Sequence, residues 1–129
     1  MDIEIAIGTP HGDTRRVHVS GKLDTHTFAT FDREVAPLLE DATISTLVLD
    51  LDKLTYISSA GVRSVFKARK VLSARGGKLL VVNLQPQIRK VFDIVKAVPV
   101  ADVFASAAEL DAYLDEMQKR VTGESQEED

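Results

Sequence analysis

The stretch YISSAGVRSVFKARK, Tyr56 to Lys70, changes its periodicity in the middle. Tyr56 and Ile57 follow the nearly unbroken apolar run TLVLDL, Thr46 to Leu51, and belong with the pattern of a buried strand. From Ala60 onward, Val62, Val65, Phe66 and Leu72 fall on one stripe at helical spacing, predicting a helix over Ala60 to Ala74. Two adjacent hydroxyls, Ser58 and Ser59, stand at the change, with Ala60 and Gly61 behind them. Serine is a preferred helix N-cap because its oxygen accepts from a free backbone N–H of the first turn. Capping needs one serine. The other reading is a hydroxyl displayed for a second protein to act on, and the residues alone leave both open.

The surrounding chain supplies the rest of an alternating architecture. Ile3, Ile5 and Ile7 alternate, then Val17 and Val19, across the turn cluster GTPHGD at Gly8 to Asp13, which predicts an antiparallel hairpin at a sheet edge. Phe28, Phe31, Val35, Leu38 and Leu39 give a helix over 28–41 that Thr25 or Thr27 can cap. Pro37 removes one backbone bond from it, but the apolar stripe runs across the proline. Gly76 or Gly77 suits the left-handed stop of the next helix, and Leu79 to Asn83 is a buried strand. Pro86 opens a helix bearing Ile88, Val91, Phe92 and Val95. A short edge strand around Val103 and a helix from Ala107 to Val121 complete the order β-β-α-β-α-β-α-(β)-α.

That order predicts a single α/β domain over residues 1–121, with a mixed, mostly parallel sheet of four to five strands and about four helices. Loops that follow parallel strands gather at one edge, where ligand and partner sites collect. Asp24–Thr25, Ser58–Ser59 and Gln85–Pro86 are therefore expected as neighbours, with the serine turn exposed.

Composition narrows the function. The 129 residues carry 20 acids and 16 bases, and the tail TGESQEED alone holds Glu124, Glu127, Glu128 and Asp129. The remaining body is neutral, unlike the basic face of a nucleic-acid protein. Residues 122–129 are expected to be a disordered acidic tail, since nothing after Val121 is apolar. No run approaches the roughly 20 apolar residues that cross a bilayer. The acidic, alternating start resembles no targeting segment, so a cytoplasmic protein is expected, without direct membrane insertion.

Familiar chemistries do not fit. His11, His18 and His26 have no metal-ligand spacing, and there is no cysteine. Gly76–Lys78 lacks the first glycine and the closing Ser or Thr of a phosphate loop, and it precedes a strand rather than a helix. Neither serine sits in a G-x-S-x-G elbow. Asp24, Asp50 and Asp52 read as solvated surface acids rather than a catalytic cluster. No cofactor and no enzymatic activity are expected.

Several segments together carry a resemblance. VSGKLDTHTF, the YISSAGV turn, the GGKLLVVN strand and PQIRKVFDI, spread over residues 3 to 115, resemble the STAS family, and within it the anti-sigma-factor antagonists of bacterial partner-switching systems. The resemblance implies a non-catalytic module, phosphorylated on the serine of this loop by an anti-sigma serine kinase and dephosphorylated by a PP2C-type phosphatase. Unmodified, such a module sequesters the kinase and releases a sigma factor. Aligned on Gly61, the phosphoacceptor falls on Ser59, with Ser58 as second choice, and Asp24 falls on the family's loop acid. The expected partner surface is Asp24, Thr25, Ser58, Ser59, Gly61, Val62 and Arg63. The alternative is a STAS accessory subunit docked constitutively in a membrane transport or lipid-transfer complex.

Overall fold

The computed structural model describes residues 3–97, 104 and 106–127. Ile3–Ile7 (β1) and Thr14–Leu23 (β2) form the expected antiparallel pair, Ile5 opposite Val19 and Ile7 opposite Val17. β2 is unusually long because it serves two further strands. Its first half pairs in parallel with Thr46–Asp50 (β3), and its end, Gly21–Leu23, pairs in parallel with Leu54–Ile57 (β4). The run expected to continue to Tyr56 is thus broken in two. Leu54 N–H donates to Leu51 O at 3.0 Å to close the intervening turn. On β2 the break is absorbed by a register shift after Gly21, whose φ of 94° suits glycine. Lys78–Val82 (β5) pairs in parallel with β3, Asp50 opposite Val82.

Four helices are described: Phe28–Glu40 (α1), Ser59–Ser73 (α2), Pro86–Ala97 (α3) and Ala107–Glu127 (α4). The order is β-β-α-β-β-α-β-α-α, an α/β fold on a mixed, mostly parallel sheet. α1 runs through Pro37, as its apolar stripe requires, and buries Phe31, Val35 and Leu38. Thr27 stands at its N-cap without capping it. The left-handed stop of α2 is Gly76, with φ of 79°. α4 continues through Glu127, past the end expected at Val121. The edge strand expected around Val103 lies outside the described residues.

One core joins the layers. Val17, Val19, Leu47 and Leu49 of the sheet pack with Phe31, Val65, Leu72, Ile88, Val91 and Leu114 of the four helices. The opposite sheet face carries Arg16, His18 and Asp50. Asp50 is no solvated surface acid: it is 6% exposed and tied to three segments. Arg16 Nη2 donates to its Oδ2 at 2.8 Å, Asn83 Nδ2 to the same oxygen at 3.2 Å, and Asp52 N–H to Oδ1 at 3.1 Å. His18 Nδ1 lies 3.6 Å away. Burial alone would raise the carboxyl's pKa, but the Arg16, Asp52 and Asn83 bonds outweigh it and hold it below the ordinary value.

A carboxyl held low in the fold stabilises above the unfolded value of about 4 and loses that contribution as pH falls through its folded value. Asp50→Asn should cost about 1–3 kcal/mol at pH 7 by urea unfolding. The gap from wild type should shrink below about pH 4. A pH-independent gap would show that the charge is not what matters.

Candidate functional site

The junction between β4 and α2 is built by backbone. Ser58 is the N-cap, extended at φ −101° and ψ 177°, and its Oγ accepts from Gly61 N–H over a long 3.5 Å. Its own N–H donates to Leu23 O at 3.0 Å, and its carbonyl accepts from Val62 N–H at 2.9 Å. Ser59 is the first helical residue. The two residues are therefore unlike: Ser58 Oγ is spent on the cap, while Ser59 is tied through its backbone N–H, to Asp111.

Gly61 makes this junction possible. A Cβ there would lie 2.5 Å from Leu23 O and 2.8 Å from Ile57 Cγ1. The first turn of α2 thus rests directly on the end of β2, which brings the loop after β2 beside the serines. Asp24 holds that loop in shape: its Oδ1 accepts from His26 N–H at 2.9 Å and from Thr27 Oγ1 at 3.2 Å. The single Thr27 Oγ1 proton is shared with Lys22 O at 2.8 Å, and the oxygen accepts from Asp24 N–H at 2.9 Å, which is why it is not a helix cap. Phe28, 36% exposed, flanks the turn.

Of the expected surface, Thr25 and Arg63 are exposed and Asp24 is half-buried, whereas Gly61 and Val62 are buried. The serine turn is not exposed as expected, since Ser58 is 3% and Ser59 7% accessible. The cover is α4. Asp111 Oδ1 accepts from Ser59 N–H at 2.8 Å. Gln118 brackets Ile57, its Oε1 accepting from the N–H at 3.0 Å and its Nε2 donating to the carbonyl at 2.8 Å. Gln85 bonds neither serine: its Nε2 donates to Asp52 O at 2.8 Å and its Oε1 accepts from Gln87 Nε2 at 2.8 Å.

The site is acidic. Tyr56, half-buried at the end of β4, has its phenol pushed up to about 12, first by burial and then by the carboxylates of Asp115 and Asp111, with Asp24 adding to them. Asp111, Asp115 and Gln118 are the residues that sequence reasoning missed. The available signal was a glutamine four residues after Leu114, on an otherwise apolar helical stripe.

The STAS domain model matches residues 9–110, and the chain belongs to that family. Its relatives include BtrV of Bordetella bronchiseptica, by its name a candidate anti-sigma factor antagonist, which is 43% identical over 65 residues, 48% of this chain and 56% of that protein. The anti-sigma F factor antagonist of Lysinibacillus sphaericus is 28% identical over 80 residues, 62% of this chain and 68% of that protein. The match thus spans little more than half the length of BtrV. The Bacillus cell fate determinant SpoIIAA in its phosphorylated form shares the fold, with a TM-score of 0.60 at 22% identity over 70% of this chain and 81% of that one.

Gly61→Ala tests the junction. Alanine is the better helix former by roughly 1 kcal/mol, yet the clash is with backbone, so a net loss of about 1–3 kcal/mol in urea unfolding is expected. Amide shifts of Ser58 and Ser59 should move with it. An unchanged or stabilised protein would contradict the close approach.

Proposed function

We propose that the chain is a phosphorylation-controlled antagonist of an anti-sigma serine kinase, acting in the cytoplasm and without catalysis of its own. Unphosphorylated, it binds the kinase through Thr25 and Arg63, the exposed residues that border the serine turn, and so releases a sigma factor or other client. A PP2C-type phosphatase resets it. The observation that carries this reading is the place of Ser59 at the first position of α2, with the neighbouring Ser58 hydroxyl taken up by the cap, in a chain whose named relatives include anti-sigma factor antagonists.

In the modification step Ser59 Oγ attacks the γ-phosphorus of ATP held by the kinase. The Oγ–P bond forms, the bond to the β-phosphate bridging oxygen breaks, ADP leaves and the hydroxyl proton passes to the kinase. The product adds about −1.5 to −2 charges and three acceptor oxygens. At the N-terminus of α2 the helix dipole favours such charge, against the Asp111 carboxylate already bound to the Ser59 N–H. A partner that met a neutral serine beside Asp24 now meets an anion, and like-charge contact in an interface costs several kcal/mol.

Incubation with the kinase and ATP should add one phosphate, which mass spectrometry should map to Ser59. Ser59→Ala should abolish it, and Ser58→Ala should retain most of it, since Ser58 Oγ serves the cap. Phosphate on Ser58 alone would reassign the site. No phosphate on either serine would favour a constitutively docked STAS subunit.

A further inference from the structure

The element that buries Ser59 is held there by polar contacts as well as by packing. Leu110, Leu114 and Met117 of α4 face the core. Asp111, Asp115 and Gln118, at i, i+4 and i+7, face the β4–α2 junction, where Asp111 Oδ1 takes the N–H of Ser59 at 2.8 Å and Gln118 takes both backbone groups of Ile57. A carboxylate from another element therefore already occupies the positive end of α2, where a phosphate on Ser59 would settle. Asp24 and Asp115 add to the negative surroundings. Lys22 and Lys119 are the described cations lining the adjoining groove.

We infer that α4 is a latch on the serine turn, closed by Asp111 and Gln118 and opened by negative charge on Ser59; this rests on Ser59 being the modified residue. Phosphate would sit on the same residue whose N–H Asp111 holds, well inside the screening length of about 8 Å. Two anions then compete for one helix end. The one covalently fixed to it stays, and Asp111 leaves. Gln118 moves with the helix, and the N–H and carbonyl of Ile57 lose their partner at the outer edge of β4. Modification therefore alters shape as well as charge, uncovering an unpaired strand edge. In the unmodified chain the closed latch restrains access to Ser59, so loosening it speeds phosphorylation.

Amide hydrogen exchange on the full chain tests the latch without any kinase. Ser59→Glu should raise exchange of the Ile57 amide and of the first turns of α4 at least tenfold, while Ser59→Gln, equal in size and uncharged, should leave them within threefold of wild type. Asp111→Asn keeps an acceptor oxygen but no charge, and combined with Ser59→Glu it should restore protection. Equal opening by Gln and Glu, or no opening by Glu, would overturn the latch, as would failure of Asp111→Asn to restore it. In a parallel kinase assay Asp111→Ala should be phosphorylated at least threefold faster than wild type, and an equal or slower rate would overturn the restraint on Ser59. If no chain accepts phosphate while exchange follows the expected pattern, the phosphoacceptor reading falls and the charge-operated latch stands.

Discussion

The first turn of α2 lies on the end of β2 with no side chain between them, and the rest of the site depends on that contact. Gly61 leaves room for Leu23 O, and Ser58 N–H donates to that same carbonyl. One backbone oxygen thus fixes where β2 ends, where α2 begins and how near Asp24 comes to the serines. The helix N-terminus follows from the same geometry, and with it the positive end that Asp111 occupies.

A second constraint is the shortness of β4. It pairs only with the last residues of β2, so its outer edge carries unpaired backbone groups that need partners. Side-chain amides supply them. Gln87 Nε2 of α3 donates to Thr55 O at 3.1 Å, and Gln118 of α4 serves Ile57. Both glutamines are buried. Two helices are thereby attached to the strand that leads into the serine turn by bonds that water or a partner strand can replace.

The hairpin, the helical stripes and the serine junction were legible because they are local patterns of period two or 3.6. The turn between β3 and β4 was not, because Leu51 and Leu54 on either side are both core residues and no glycine or proline marks the stop. Asp50 was misread as solvated because its cation, Arg16, is 34 residues away. The cover over Ser59 was missed for the same reason: Gln118 interrupts an apolar stripe, but Asp111 and Gln118 are 52 and 61 residues from the groups they bind. Local sequence reports which face of a helix is apolar, but not which backbone groups elsewhere await a polar side chain from its other face. The exposure expected of Ser59 failed on that point, while its place at the start of α2 did not.

The central claim is that charge on Ser59 decides partner binding. Calorimetric titration of the anti-sigma kinase with the unmodified chain and with the chain stoichiometrically phosphorylated on Ser59, at one fixed ionic strength, tests it most directly. Several kcal/mol of repulsion corresponds to an affinity lower by a hundredfold or more for the phosphorylated chain. Equal affinities for the two forms would contradict the account.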